Sequence, residues 1–407
     1  MVICSKQLPS VCILLMGSVT FGFSCQFPAL CLASMQGEFT NFDWENEKFI
    51  TKCFTVVSAL TSIVGSVFFL FLFLRFQRKL IISIMSVAYS IFWFIILATS
   101  ESHIWIAILS IGLQGFIIGG YCVVIPPYIV ELSPATAVNF YGTLHQVGCA
   151  LAIVIFDVVG AFADWRVYTY IGASWVLIFG GLIWLVPDDE HSLKLKKRTK
   201  VFEETLFQKK YAFKIVTVLA LMIFQQICGI NAILNNMAAL MASSGLDINS
   251  NLQQAISTSA QLIAVIIGCF IVDPLGKKVI WAFSSFGISF CLLIYALNLK
   301  FDFGYWLPTL CIFVYMLFFG LAVGPIPWYI TSTLFPSGID LITQTMVTVV
   351  NMGFSFAVVF LYPFLKDNIG EFGTMLIFMS VTIIAGFFGL FAIPKEDDQD
   401  IEGISLL

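Results

Sequence analysis

Twelve apolar stretches, each about twenty residues long, take up most of this 407-residue chain. A helix of about twenty residues crosses the roughly 30 Å hydrocarbon core of a bilayer, whereas membrane-spanning strands would alternate polar and apolar residues. The stretches do not alternate, and 59% of all residues are hydrophobic while 11% are charged. The sequence therefore predicts an all-α membrane protein with twelve transmembrane helices, near residues 8–33, 51–74, 80–99, 104–127, 140–162, 167–187, 213–240, 254–272, 278–299, 305–331, 341–364 and 371–393.

The basic residues are unevenly distributed between the two ends of the predicted helices. Lys and Arg close to a transmembrane helix are retained on its cytoplasmic side. If the amino terminus is cytoplasmic, fifteen of the twenty Lys and Arg residues fall on the cytoplasmic side, and the other five are Lys48, Lys52, Arg166, Lys300 and Lys366. We therefore expect both termini in the cytoplasm.

A long polar segment divides the predicted helices into two groups of six. We predict an N-terminal six-helix bundle at 1–187, a cytoplasmic linker with short helices at 188–211, a C-terminal six-helix bundle at 212–394 and an acidic cytoplasmic tail at 395–407. The two halves contain similar segments, IPPYIVELSP from Ile125 to Pro134 and IPWYITSTLFP from Ile326 to Pro336. Tandem six-helix repeats are typical of secondary transporters, which bind substrate near the bilayer midplane between the repeats.

Several motifs carry a resemblance to a known family. They are PPYIVELSP followed by GTLHQVG (Gly142–Gly148), FQQICGIN (Phe224–Asn231) and GPIPWY (Gly324–Tyr329). In this order and spacing they resemble the sugar porters of the major facilitator superfamily, the group of the facilitative glucose transporters, over almost the whole chain. The resemblance implies two pseudo-symmetric six-helix bundles that transport a hexose, glucose first of all, by alternating access.

Neutral amide side chains in the predicted helices are candidate sugar ligands. Each hydroxyl of a hexose both donates and accepts hydrogen bonds, and an amide can match it without the cost of burying a charge. The resemblance implies that Trp328 supplies an apolar face for the sugar ring and that the amides of six residues coordinate the hydroxyls: Gln146, Gln225, Gln226, Asn231, Gln261 and Asn351. The alternative is that some of these amides only hold helices together.

Two further groups are predicted to control access. Pro325 and Pro327 interrupt the hydrogen-bond ladder of the tenth helix, so that the segment with Trp328 can bend and gate the inner path. Trp328 as an interfacial anchor is the alternative. Asn235 and Asn236 stand where the family usually has two tyrosines that close the outer path, and we expect them to gate it.

Charged residues at the cytoplasmic ends of the helices resemble a lock between the two halves. Its members are Arg78, Lys79, Glu131, Asp273, Lys277 and Lys278. The family pattern is incomplete, because four of its usual residues are replaced by Gly115, Val138, Gln77 and Thr333. A thinner lock predicts a bias toward the inward-open state, although anchoring by positive charge alone would explain Lys277 and Lys278.

One residue in the first helix and one in the fifth indicate whether sugar transport is coupled to protons. Ser24 stands where proton-coupled sugar porters have an aspartate, which favours facilitated diffusion, that is, uniport. Asp157 is a carboxyl group inside the fifth helix and therefore a candidate proton site. A proton-coupled sugar or polyol symporter and a non-transporting sugar receptor are the alternative functions.

Other classes of function find little support in the sequence. The chain shows neither a catalytic constellation nor a phosphate-binding loop, and its eleven cysteines form no CxxC pair, so we expect no enzyme, no cofactor and no metal site. The expected partners are a small sugar and the lipid bilayer, without nucleic acid, and the expected functional unit is a monomer. We expect the plasma membrane, with an endosomal or lysosomal membrane as the alternative because Glu402–Leu407 resembles an acidic dileucine signal.

Overall fold

The structure is a computed structural model that describes residues 7–44, 47–187, 209–242, 250–335 and 339–394. All regular structure in these residues is helical, which confirms the predicted all-α fold class. The first half (7–187) contains α1 (Leu8–Glu38), α2 (Lys48–Phe73), α3 (Arg78–Ile95), α4 (Trp105–Glu131), α5 (Val138–Gly160) and α6 (Trp165–Leu182). The second half (209–394) contains α7 (Lys209–Ile227), α8 (Ile230–Ala242), α9 (Ser250–Leu275), α10 (Lys277–Phe301), α11 (Leu307–Phe318), α12 (Ile326–Leu334) and α13 (Asp340–Ala392). The predicted tail and all of the predicted linker up to residue 208 lie outside the described residues.

Eleven helical segments of the described chain are long and apolar enough to cross a membrane. Two of these segments are interrupted spans, one formed by α7 and α8 and the other by α11 and α12. The last segment, α13, contains two helices joined at Gly370, whose φ of +73° is a conformation that glycine adopts readily. Counting its two parts separately gives the twelve spans that the sequence predicts.

The surface around the bundle is apolar. Large side chains such as Phe71, Ile84, Phe290 and Phe387 are each more than half exposed. A surface of this kind is unfavourable in water but matches the hydrocarbon of a bilayer. The exposed apolar surface therefore supports the multi-pass membrane protein that the sequence predicts.

Small residues let α2 and α4 pack backbone against backbone. A Cβ atom at Gly65 would lie 1.8 Å from the carbonyl oxygen of Phe116, and one at Gly115 would lie 2.4 Å from that of Ser58. The Ser62 hydroxyl donates a hydrogen bond of 2.7 Å to the Gly115 carbonyl. Close approach through small residues is a common way to join membrane helices. A side chain at position 115 would overlap the backbone of α2, so this close packing is incompatible with an arginine there.

The bundle has two ends, which we name by the connection between the halves. The linker end holds the end of α6 and the starts of α3, α5, α7 and α10, and the opposite end holds the end of α1 and the start of α6. The two halves touch on the linker side, where Gln344 Nε2 donates to the Cys122 carbonyl over 3.2 Å. They also touch toward the opposite end, where the Lys52 ammonium lies 5.7 Å from the centre of the Phe360 ring.

Candidate substrate-binding site

A cavity with a volume of about 110 Å³ lies between the two halves and is open to solvent. Its walls come from α1, α2, α4 and α5 of the first half and from α7, α8, α9, α12, α13 and the segment between α11 and α12 of the second. The seven predicted substrate-binding residues all line it: Gln146, Gln225, Gln226, Asn231, Gln261, Trp328 and Asn351. Of the predicted gating residues, Asn235 lines the cavity, whereas Asn236, Pro325 and Pro327 do not.

The break between α7 and α8 brings amides from both helices to the cavity. Gly229 lies at the break with a φ of +91°, and a Cβ atom there would also lie 2.5 Å from the Phe378 ring. Glycine therefore meets a conformational and a steric requirement at this position. Across the break, Asn231 Nδ2 donates to Gln226 Oε1 over 2.6 Å, which fixes the relative orientation of the two amides.

The Gln225 amide joins three elements of the second half. Its Nε2 donates to the carbonyls of Val323 and Gly324 over 3.0 and 2.7 Å, and its Oε1 accepts from Asn351 Nδ2 over 2.7 Å. Both carbonyls are available because the helix is interrupted here. Pro327 has no N–H to donate to Val323, and the Trp328 N–H donates to the Pro325 carbonyl instead of to Gly324. The predicted break in this span therefore also supplies the acceptors that orient Gln225.

Two other amides in the cavity have an unused oxygen. Gln146 Oε1 in the first half and Gln261 Oε1 in the second are buried and have no hydrogen-bond partner. Most buried polar atoms are paired, since leaving one unpaired costs free energy. The two oxygens belong to residues that line the same cavity from opposite halves, so a hydroxyl-rich ligand in the cavity would lie next to both side chains.

Aromatic side chains close the linker side of the cavity. The Trp328 ring centre lies 5.5 Å from that of Phe21 in α1 and 5.6 Å from that of His145 in α5. His145 is held in turn by a 2.8 Å hydrogen bond between its Nδ1 and the Ser18 hydroxyl. Trp328 of the second half therefore rests on two helices of the first half, where movement of α12 would change access to the cavity.

The sequence analysis missed a row of small polar residues in the cavity wall. Thr55, Ser58 and Ser62 follow one another along α2 and line the first-half side, and Ser355 lines the other side. Ser355 Oγ accepts a 2.8 Å hydrogen bond from Asn231 Nδ2. The signal was present in the sequence, because residues spaced by three and four share one face of a helix.

Three members of the predicted charge lock make polar contacts at the linker end. Arg78 and Glu131 form a bidentate salt bridge, with Nη1–Oε2 and Nη2–Oε1 distances of 2.5 and 3.0 Å. Both residues belong to the first half. Asp273 receives a 2.9 Å hydrogen bond from Asn139 Nδ2 across the two halves. Asn139 was not predicted. The other members of the predicted lock also lie at the linker end, where Lys79 and Lys277 are buried and Lys278 is partly exposed.

Asp157, the candidate proton site, is buried but does not line the cavity formed by the described residues. Ser24 does line it, and its hydroxyl is hydrogen-bonded to the Tyr89 hydroxyl. The position that holds an aspartate in proton-coupled porters is therefore occupied here by a neutral serine that lines the cavity.

Comparisons with known proteins agree with this architecture. The solved structure of the proton:xylose symporter XylE bound to 6-bromo-6-deoxy-D-glucose superposes with a TM-score of 0.85 over 98% of each chain, at 17% sequence identity. The inward-open conformation of the xylose transporter XylE from E. coli gives a TM-score of 0.76 at 17% identity, over 98% of this chain and 99% of that one. These similarities establish a shared fold.

Sequence relatives are named as sugar carriers. Facilitated trehalose transporters Tret1 from Aedes aegypti and Apis mellifera ligustica are each 24% identical over 96% and 98% of this chain. The chain spans about half (53%) of the Aedes aegypti protein and 88% of the Apis mellifera ligustica protein. The profile of the family described as "Sugar (and other) transporter" matches residues 10–200 and 189–407. Fold, motifs and family match agree, and the chain belongs to the sugar porter family of the major facilitator superfamily.

Proposed function

We propose that this protein moves a hexose, with glucose as the first candidate, across a membrane by alternating access of the cavity to its two sides. The observation that carries the proposal is the pair of unpartnered amide oxygens of Gln146 and Gln261, one from each half. Sugar hydroxyls donate hydrogen bonds to such acceptors. A sugar that joins them also joins the two halves, so its binding is sensitive to how the halves are arranged.

Uniport is the mode that the cavity supports best. The described residues that line it are neutral, and the polar ones include amides, hydroxyls and the two thiols of Cys25 and Cys149. A sugar can therefore bind without a change in the charge of the wall. Proton-coupled sugar or polyol transport is the alternative, with Asp157 as the candidate proton site, since XylE is described as a proton:xylose symporter.

A disaccharide is the second candidate substrate. The relatives are named as trehalose transporters, and the cavity continues past the amides to Thr55 and Ser58 of α2. The hydroxyls of these two residues would offer hydrogen bonds to a second sugar ring.

The orientation of the protein follows from its basic residues. Arg78, Lys79, Lys277 and Lys278 all lie at the linker end. We infer that the linker end faces the cytoplasm, with both termini inside, in the plasma membrane or an endosomal or lysosomal membrane. The functional unit is a monomer, because each chain contributes both walls of its own cavity.

Uptake into liposomes separates these candidates. We expect purified protein to admit labelled D-glucose at the same rate with and without an inward proton gradient. Accumulation above the equilibrium level in the presence of the gradient would contradict uniport. Entry of labelled trehalose in preference to glucose would favour the disaccharide, and glucose binding without entry would favour a sugar receptor.

Replacing Gln146 or Gln261 by leucine should weaken sugar binding without destabilising the sugar-free protein. Each side-chain oxygen has no partner to lose when the cavity is empty, so the melting temperature without sugar should not fall. Loss of one neutral hydrogen bond to the sugar is worth about 0.5–1.5 kcal/mol, or roughly a two- to twelvefold rise in Kd. Thermal shift with and without glucose measures both quantities.

Gln114→Leu is the matched control for these two variants. Gln114 is also a buried glutamine in a membrane helix, but its Nε2 donates within α4 to Ser110 Oγ over 3.1 Å, and it lies outside the cavity lining. We expect the control to keep the wild-type Kd. Equal losses of affinity in all three variants would contradict the assignment of the site.

A further inference from the structure

Gln344, near the start of α13, is a fully buried amide with hydrogen bonds to both halves of the protein. Its Nε2 donates to the Cys122 carbonyl of α4 over 3.2 Å, across the two halves. Its Oε1 accepts from Thr331 Oγ1 of α12 over 2.6 Å, within the second half. Cys122 and Thr331 are also fully buried, so the amide and its two partners lie in a dry interface. An unpaired polar group in such an interface costs free energy, which gives the crossing bond its weight.

A proline makes the Cys122 carbonyl available for this bond. In an α-helix the carbonyl would accept from the N–H four residues further on, but that residue is Pro126, which has none. The second half contains the same arrangement, because Pro327 leaves the Val323 carbonyl open and Gln225 donates to it. Both prolines occupy the same place in the repeated segments, IPPY and IPWY. In each half a proline therefore frees a carbonyl for a glutamine, but the glutamine that bonds to Cys122 comes from the other half.

The contact lies between the cavity and the linker end. Cys122 follows the cavity residue Ile118 by one turn of α4, toward the linker end. Gln344 precedes the cavity residue Asn351 by about two turns of α13, which starts at the linker end. Neither Cys122 nor Gln344 lines the cavity formed by the described residues. The cavity therefore stops short of this contact on the linker side.

The cavity extends in the other direction, toward the opposite end. Its lining continues there to Pro28 of α1, Thr55 of α2 and Val359 of α13, and the cavity residue Cys25 is exposed. On the linker side it ends at the aromatic contacts of Trp328. The bond between Gln344 and Cys122 is therefore formed in a state that is closed at the linker end.

We propose that Gln344 is a positioning residue that latches the linker end of the cavity shut through the Cys122 carbonyl. The bond breaks each time the cavity becomes accessible from the linker side, so the proposal rests on the proposed alternating access. The latch is neutral, and opening it leaves no unpaired charge behind, in contrast to a lock of buried ion pairs. It stabilises the closed state at the end where four residues of the family lock are replaced.

The latch is connected to the cavity through α12. Trp328 lines the cavity, and Thr331, which holds the Gln344 oxygen, follows it by three residues on the same helix face. A movement of α12 that opens the inner path would displace Thr331 and with it the amide of Gln344. The latch and the aromatic contacts of Trp328 are therefore expected to open together.

The experiment measures how fast a membrane-impermeant maleimide alkylates Cys25 from each side of the membrane. Cys25 suits this purpose because it lines the cavity and is exposed. The full-length protein, with Cys4, Cys12, Cys53 and Cys149 replaced by alanine, is labelled in right-side-out and in inside-out vesicles. Mass spectrometry of the peptide that contains Cys25 gives the two rates, and their ratio reports on the access equilibrium.

Gln344→Leu should shift this ratio about fivefold toward the linker side, which is the usual weight of one net hydrogen bond in an equilibrium. In the closed state the variant leaves the Cys122 carbonyl buried without its donor, whereas water can reach the carbonyl once the linker end opens. Gln114→Leu is the matched control, because Gln114 is a buried glutamine whose Nε2 bond stays within α4. This variant should label like the parent.

Alanine in place of each proline of α4 tests the acceptor. Pro126→Ala restores an N–H that competes for the Cys122 carbonyl, so Gln344→Leu should shift the ratio much less in this background. Pro127→Ala is the control, because its N–H would bond to the Val123 carbonyl instead. In that background the fivefold effect of Gln344→Leu should remain in full.

A parental ratio in Gln344→Leu would overturn the proposal, as would an equal shift in Gln114→Leu. Faster labelling from both sides at once would also overturn it, because that result indicates general loosening. An undiminished effect in the Pro126→Ala background would overturn the assignment of the Cys122 carbonyl as the partner.

Labelling requires no sugar, so the latch can be tested independently of transport. If Gln344→Leu shifts the ratio and no sugar enters liposomes that contain the parent protein, the proposed function fails while the latch stands. If sugar enters and the ratio does not move, only the latch fails.

Discussion

Replacing Arg78 by leucine should lower the free energy of unfolding by about 3 kcal/mol, because it removes both charge-assisted hydrogen bonds of a largely buried ion pair with Glu131. The Arg78 side chain is almost completely buried and meets Glu131 through both terminal nitrogens, while its guanidinium carbon lies 5.3 Å from the centre of the Tyr128 ring. The Glu131 side chain retains 19% exposure, which places the expected loss at the lower end of the range for buried pairs.

Arg166→Leu is the matched control for Arg78→Leu. Arg166 also forms a close ion pair, at 2.6 Å from Glu38, but the two side chains are 41% and 37% exposed. An exposed pair contributes about 0–1 kcal/mol, so this variant should unfold nearly like the parent. Thermal unfolding in detergent makes the comparison. The double variant Arg78→Leu and Glu131→Leu should recover much of the loss, and equal shifts for Arg78→Leu and Arg166→Leu would contradict the prediction.

The fold could be predicted because its main constraint, the length of each apolar stretch, is visible along the sequence. Bilayer thickness fixes the length of each apolar stretch, so composition along the chain reveals the twelve spans. The structure places their ends within a few residues of the prediction for most helices, although α1 continues to Glu38. The break at Gly229 could also be inferred from the sequence, since a glycine between two amide-bearing turns marks a place where a helix can change direction.

The sequence could predict which residues line the site, but not which hydrogen bonds each of them makes. The seven cavity residues follow from the family motifs and from the chemistry of sugars. Gln225 and Gln146 are nevertheless different: the first uses its amide on Val323, Gly324 and Asn351, and the second has a free oxygen. That difference arises because the break at Pro327 leaves the Val323 and Gly324 carbonyls without helical hydrogen bonds. These carbonyls lie about one hundred residues from Gln225 along the chain, so no local sequence pattern indicates the contact.

The contacts between the halves could not be read from the sequence at all. Asp157 and Thr258 are 101 residues apart, and Asn139 and Asp273 are 134 apart. Each pair depends on the register of α5 against α9, which is set by packing along the whole interface. The sequence marks Asp157 only as an unusual carboxyl group in a membrane helix. Its hydrogen-bond partners in α9 become apparent only when the two halves are placed together.

Gly142→Leu should shift the access equilibrium toward opening at the linker end by about 3 kcal/mol, on the order of 150-fold. A Cβ atom at Gly142 of α5 would lie 2.5 Å from the Tyr329 ring of α12, and Tyr329 is fully buried. The ring belongs to the other half, so the added side chain presses the two halves apart at the linker side. Opening there relieves the overlap, whereas opening at the opposite end does not.

Alkylation of Cys25 measures this shift, because Cys25 lines the cavity and is exposed. A membrane-impermeant maleimide is added to right-side-out or inside-out vesicles that contain the protein with Cys4, Cys12, Cys53 and Cys149 replaced by alanine. Labelling should become faster from the linker side and slower from the opposite side in Gly142→Leu. Gly181→Leu is the control, because a Cβ atom there has no neighbour within 4 Å and the variant should keep the parental ratio. Unchanged labelling in Gly142→Leu, with the protein folded, would show that the contact between Gly142 and Tyr329 persists in both access states.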